Sequence, residues 1–396
     1  MSLPAEVARR VPAGLRERLG ALRRDLHRRP ELSFEERETQ ERLRRELERL
    51  DPIELREVAG TGLAARFAGR DRGAPVVAVR GDVDALPIEE ATGAAFASEI
   101  PGRMHACGHD VHASWAVGAA ALLAAEPAAG DVVVVLQPAE EVAGGAERVL
   151  ESGALDGVAA IFGGHVDLRF EVGTAVAQEG PLAASADSFR IDLAGGGAHG
   201  ARPHEGADPI VGGSALVGAL QTIVSRRLPP GTPAVVTVGA FHAGRAPNVI
   251  PDRARLEGTL RALDPGVREA LHRAVGEIAR GVAAVHGLAA DVAVELGAPP
   301  LVNPTRGTGW ARRAVARVLG EEGLRPLGVT NMGGEDFAFY LERLDGCFLR
   351  IGARRPGDPV VGAHSPRFLP AEESVAVGAA LLAEAARVAS EELARV

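Results

Sequence analysis

The sequence predicts an α/β fold, a mixed sheet with helices on both faces, split by an inserted α+β domain of ferredoxin-like pattern. Three observations predict it. Apolar strand-like segments alternate with helical ones up to about residue 184. The texture then changes to two-residue alternation with two helices between 185 and 296, in β-α-β-β-α-β order. The first texture returns from 297 to the end. The expected division is one discontinuous domain, 1–184 with 297–396, and an insert, 185–296. At about 150 residues per domain, 396 residues suit two or three domains.

The elements follow in order. Residues 14–50 carry Leu and Phe at helical spacing among Arg and Glu, which predicts two surface helices broken at Pro30. Gly62–Ala68, Pro75–Gly81, Asp131–Gln137 and Val158–His165 are nearly continuous runs of Val and Ala, the mark of strands buried on both faces. Helices are predicted at Val111–Ala125 and Gly145–Ser152. In the insert, strands fall at Ser188–Ala194, Ala234–Phe241, Ala254–Leu263 and Ala289–Leu296, with helices at Pro209–Arg226 and Gly266–His286. A helix at Gly307–Leu319, a strand at Cys347–Ile351 and a helix from Glu372 complete the chain.

Composition narrows the function. Apolar residues make up 46% of the chain, enough for a real core, and charged residues 24%. Fifty-three acidic residues against 44 basic ones, all of these arginine, give a net charge of −9, which argues against broad nucleic-acid binding. The longest apolar run, near Trp115–Ala125, falls short of the roughly 20 residues a bilayer requires. Two cysteines, Cys107 and Cys347, make no disulfide framework. The charged N-terminal segment lacks the apolar core of a signal peptide. A cytoplasmic protein with no membrane partner is the expectation.

Candidate chemistry clusters near strand ends. His105-Ala-Cys-Gly-His-Asp-Val-His112 holds three His, one Cys and one Asp, side chains that ligate zinc, cobalt, nickel or manganese. A capping turn around a buried cysteine is the bland reading, and the density outweighs it. Val132–Leu136 leads into Gln137-Pro-Ala-Glu-Glu141, and strand C-termini are where open α/β sheets hold ligands. Adjacent carboxylates repel unless a cation or proton lies between them, although acidic residues also suit a helix N-terminus. His165 closes a predicted strand, Asp82 and Asp84 follow another, and His364 stands late in Gly362-Ala-His-Ser-Pro366. Singly these signals are weak; together they describe one site. In the insert, Gly195-Gly-Gly-Ala-His-Gly200 carries His199 but lacks the spacing of a dinucleotide loop. Asn248 sits in Ala246-Pro-Asn-Val-Ile-Pro251, which by itself is simply a rigid turn.

These motifs, with Gly334-Glu-Asp-Phe337, resemble the M20 metallopeptidases, and within them the amidohydrolase branch of hippurate, N-acyl-amino-acid and auxin-conjugate hydrolases. The resemblance runs from about residue 20 to 385. It implies a zinc-peptidase-like catalytic domain interrupted by a lid that mediates homodimerisation. It implies two divalent ions per subunit (Zn, Mn, Ni or Co), held by Cys107, His109, Glu141, His165 and His364. Glu140 matches the general base, Asp84 an acidic residue supporting the metals, His199 the lid histidine that meets the reacting carbonyl, and Asn248 a substrate contact. The expected reaction is hydrolysis of small amides such as N-acyl amino acids by a metal-activated water, with short-peptide hydrolysis the alternative and a non-catalytic homologue a remote third. Many relatives have Gly and Thr where this chain has Val111 and Ala113. Those positions, with Ser114 and Trp115, would reshape the pocket wall without removing a ligand.

Overall fold

The computed structural model describes residues 3–395. The chain forms two compact units: residues up to Gly180 with 303–329 and 339 onward, and residues 181–302 with 330–338. The second unit is wider than the 185–296 expected from sequence. It also takes in a distant segment whose Gly333 carbonyl accepts the Ala184 N–H (2.9 Å). A short excursion of this kind has no periodicity to reveal it.

In chain order the first unit begins with α1 (Ala5–Arg10), α2 (Ala13–Arg28) and α3 (Arg37–Glu48). There follow β1 (Glu54–Val58), β2 (Gly62–Phe67), β3 (Val76–Asp82), α4 (His109–Ala125), β4 (Val132–Gln137), α5 (Gly145–Glu151), β5 (Val158–Glu171) and β6 (Ala175–Val176). The insert brings β7 (Gly180–Ala183), β8 (Asp187–Ala194), β9 (Ala198–His199), α6 (Pro209–Thr222), β10 (Ala234–Ala243), β11 (Val249–Ile250), β12 (Arg253–Ala262), α7 (Pro265–Val285), β13 (Ala289–Glu295) and β14 (Leu301–Asn303). Then come α8 (Thr305–Leu319), α9 (Ala338–Leu341), β15 (Asp345–Arg354) and α10 (Glu373–Leu393).

The main sheet has the order β1-β2-β4-β3-β5-β15-β6. Its middle, β4-β3-β5-β15, is parallel and the outer pairings are antiparallel. Every residue of β4 is buried, which is why the parallel strands read as unbroken Val and Ala instead of alternating. Helices α4 and α10 cross closely because small residues allow it. A Cβ at Gly378 would overlap the Trp115 indole, and one at Gly118 would meet Leu19 of α2 and Ala379 of α10. Tyr340, from α9, reaches the sheet by donating its hydroxyl to Gln137 Oε1 (2.9 Å).

Register explains where the site sits. Asp82 of β3 pairs with Gln137 of β4, Val79 pairs with Phe162, and Arg350 of β15 pairs with His165 of β5. Asp82, Gln137, His165 and Arg350 therefore stand at one level across the sheet. At that level β3 and β4 end, whereas β5 continues to Glu171 and β15 to Arg354. His165 is thus within its strand, not at its end as the sequence suggested. The polar tail Asp167–Glu171 hid the continuation.

The second unit holds a four-stranded antiparallel sheet, β10-β12-β8-β13, with α6 and α7, which is the ferredoxin-like arrangement. Its core gathers Phe189, Ile191, Leu216, Leu256, Leu271 and Val275. Both helices start on an Asp followed by Pro. Asp208 caps α6 through the Ile210 N–H (2.8 Å) and Asp264 caps α7 through the Val267 N–H (2.9 Å).

Candidate metal centre

The loop from Met104 to α4 delivers Cys107 and His109. Between them Gly108 has φ +92°, and a Cβ there would press on Val166, so this turn requires glycine. Two non-glycine residues share the left-handed region beside candidate ligands: Ala139 (φ +54°), just before Glu140–Glu141, and His364 itself (φ +66°). Such conformations cost energy and persist where the surroundings fix them. The Ala139 N–H is held by buried Glu36 (3.0 Å), and the His364 N–H by the Ala106 carbonyl (2.8 Å).

The five proposed ligands and the proposed base converge. Cys107 Sγ lies 3.1 Å from His165 Nε2, and His364 Nε2 lies 3.3 Å from Glu141 Oε2. His109 Nε2 stands 3.8 Å from Glu140 Oε2 and 3.9 Å from Glu141 Oε1. Three overlapping groups, Cys107/His109/His165, Cys107/Glu141/His364 and His109/Glu140/Glu141, each bring their ligand atoms within 4.8 Å of one another.

Hydrogen bonding fixes which imidazole nitrogens are available. His109 Nδ1 faces the backbone carbonyl of Asp84 (2.9 Å), and His165 Nδ1 faces the carbonyl of Val166 (2.7 Å). A carbonyl only accepts, so both Nδ1 atoms carry hydrogen and both Nε2 atoms face inward as the nitrogens a cation would take. His109 Nε2 and Glu141 Oε1 are buried without a hydrogen-bond partner. Buried polar atoms of this kind are costly unless something is bound. The residues present therefore fit divalent cations, and the thiol–imidazole–carboxylate donor set suits zinc, cobalt, nickel or manganese.

Asp82, His109 and His112 also lie close enough to suggest a ligand set. His112 excludes it. Its Nε2 accepts the Val166 N–H (3.0 Å), which forces the proton onto Nδ1, and Nδ1 donates to Asp82 Oδ1 (2.6 Å). Both nitrogens are committed, and the ring stacks on Trp115 with centroids 4.5 Å apart. His112 braces the strand beside His165 instead of binding metal.

Asp84 is fully buried and ties the site together. It accepts the N–H groups of Glu140 (3.1 Å) and Glu141 (3.0 Å) and the Ser33 hydroxyl (2.8 Å), and His109 Nδ1 lies 3.2 Å from its Oδ1. Burial works against its charge, but His109, the Glu141 amide and Ser33 hold its carboxyl below the usual range. Burial, reinforced by Glu141, pushes the Cys107 thiol well above its ordinary value. Burial opposes a charged His109, yet Asp82 and Asp84 outweigh it and raise its pKa well above normal. Burial, with His112 and Arg350 beside it, holds His165 well below normal.

His199 and Asn248 belong to the second unit. His199 is exposed on β9, opposite Val249, and the Asn248 carbonyl accepts the Gly200 N–H (2.8 Å). The bracing residues Ser33 and Glu36 went unread in the sequence because an isolated Ser or Glu in a surface-helix region carries no signal. Asp110 was legible only as part of the dense cluster. It is buried, bonded to Arg23 Nε (2.7 Å) and His27 Nδ1 (2.9 Å), and it anchors α2 to the start of α4.

An α/β sheet with a cysteine, three imidazoles and paired carboxylates at the carboxyl edge of its parallel strands defines a metal-dependent hydrolase. Comparison with known proteins makes the class specific. The profile of peptidase family M20/M25/M40 matches residues 78–388, and the chain belongs to that family. It is 41% identical over 378 residues to an N-acetylcysteine deacetylase of Bacillus subtilis, covering 94% of this chain and 97% of the relative. It is 37% identical to the IAA-amino acid hydrolase ILR1-like 4 of Arabidopsis thaliana, covering 92% and 84%. Among solved structures it is similar to a dinuclear metal-binding M20 peptidase of Bacillus subtilis, with a TM-score of 0.82, 37% identity and coverage of 96% and 99%.

Proposed function

We propose that this chain hydrolyses N-acyl amino acids, releasing a carboxylic acid and an amino acid, with two divalent ions held by Cys107, His109, Glu141, His165 and His364. The observation that carries the reading is the pair of adjacent carboxylates beside the unpartnered His109 Nε2, with Glu141 shared towards His364. The relatives named for N-acetylcysteine and IAA-amino acid conjugates support the substrate class. When bound, the cations lower the pKa of a water towards about 7. Glu140 takes a proton from the attacking water and returns it to the leaving amine nitrogen, so no net proton stays on the protein. Asp84 holds both glutamates by their backbone. His199 is assigned to the developing oxyanion and Asn248 to the substrate.

The deciding experiment reconstitutes chelated protein with Zn, Mn, Ni or Co in turn. Each form is then assayed on N-acetyl amino acids and hippurate against dipeptides and blocked peptides. Turnover of the N-acyl amino acids at least tenfold above the peptides is expected. The reverse preference makes the chain a peptidase. A cytoplasmic homodimer completes the proposal. Two buried free cysteines, the edge position of β10 and the exposed Ile210 and Val211 of α6 support it. No helix among the described residues is long and apolar enough to cross a membrane.

A further inference from the structure

A guanidinium stands beside the metal centre without a counter-charge. Arg350 is only 7% exposed. Among the described residues its side chain makes no hydrogen bond and no ion pair; the Phe348 ring lies 5.9 Å away, and the His165 imidazole is the ionisable group it acts on. Buried arginines are normally paired, because an isolated buried charge loses its hydration with nothing in return.

Strand register shows which way it faces. Arg350 pairs with His165 in the parallel β5–β15 ladder, so the two side chains leave the sheet on the same face, one strand spacing of about 4.8 Å apart. Its other neighbour is Val176 on β6, which offers no charge. The nearby carboxylates are committed elsewhere. Asp167, two residues beyond His165 on that face, is bound by Arg169 at 2.6–3.1 Å, and Glu171 is bound by Arg354 at 3.2 Å.

We propose that Arg350 is an anion subsite that recognises the substrate's own carboxylate. This rests on the function proposed above and narrows it to amides carrying a carboxylate next to the scissile bond. In an N-acyl amino acid that carboxylate lies three bonds from the reacting carbonyl carbon. A carbonyl placed among Glu140, His109 and His165 therefore puts the carboxylate about one strand away, where Arg350 waits. A guanidinium fork meets a carboxylate with two parallel N–H···O bonds, which orients the substrate as well as binding it.

The test compares an N-acetyl amino acid with its carboxamide, which differs only in the charge, on metal-loaded wild type, Arg350→Met and Arg350→Lys. Wild type should prefer the carboxylate. Arg350→Met should raise KM for the carboxylate about 10- to 100-fold, the range of a charge-assisted pair, while kcat/KM for the carboxamide stays within about threefold. Arg350→Lys should recover part of the difference. Calorimetric titration of the same two compounds into metal-loaded Glu140→Gln protein, with and without Arg350→Met, supplies a reading free of turnover. Equal losses on both compounds, or no loss on either, overturn the Arg350 assignment and leave the hydrolase reading standing. If wild type turns over neither compound but cleaves peptides, the functional reading falls and this inference falls with it.

Discussion

Asp84 is the residue on which the proposed division of labour between Glu140 and Glu141 depends. It contacts neither reacting group, so its removal tests whether backbone placement matters. In Asp84→Ala the amides of Glu140 and Glu141 lose the carboxylate that accepts them. Each orphaned donor costs about 1–3 kcal/mol. Release of a buried carboxylate from its own desolvation cost, and water entering the vacated space, offset part of that sum. A net loss of about 3 kcal/mol is expected, which in a chain of this length lowers Tm by only about 4 °C. His109 keeps its tautomer, because Nδ1 still faces the backbone carbonyl of residue 84 at 2.9 Å. Metal affinity should therefore fall by about 10- to 100-fold, the usual effect of losing an outer support. kcat should fall further, by about 10²- to 10³-fold, because the proposed base is displaced together with its neighbour. Asp84→Asn keeps one acceptor and turns an NH2 towards the other amide, so it should fall between the two. Calorimetric titration of metal into chelated protein, thermal unfolding and steady-state kinetics at saturating metal read the three quantities separately. Affinity and kcat both within twofold of wild type would refute the role. Complete loss of metal would instead place Asp84 on the ion.

Three further outcomes are expected. Glu140→Gln should lower kcat by at least about 10²-fold with metal content unchanged by elemental analysis; loss of metal would make Glu140 a ligand. His112→Leu removes the acceptor for the Val166 N–H and the donor to Asp82 while leaving the proposed ligand set whole. It should weaken metal binding about 10-fold, read as a shifted cobalt absorption spectrum, and loss of one whole metal equivalent would contradict the tautomer assignment. Cys107 and His109 both have raised pKa values in the metal-free protein, so both hold protons near pH 7 that metal must displace. Apparent affinity should therefore rise with pH, about tenfold per unit for each proton displaced. Binding at pH 7 should release about two protons per chain, measured with an indicator dye, and release of fewer than one would contradict both shifts.

How much of this was readable in the sequence follows from what each signal depends on. Strands β2, β3 and β4 were legible to within a residue or two, because burial on both faces leaves an unbroken run of Val and Ala. The insert was legible as a change of period from continuous apolarity to alternation. The metal-centre candidates were legible because ligand chemistry admits few residue types, and Cys107, His109, Glu140, Glu141, His165 and His364 do come together. Which of the clustered histidines keeps an open ligand atom was not readable from residue type. His109 and His112 are both histidines three positions apart, yet only hydrogen bonds made by distant backbone atoms, the carbonyl of Asp84 and the amide of Val166, leave one with an open Nε2 and close the other. Arg350 was invisible for the same reason. In an arginine-rich chain one more arginine in a strand carries no signal until the register sets it beside His165 and the neighbouring carboxylates prove to be taken. Sequence named the atoms that could bind, and the fold decided which of them remain free to do so.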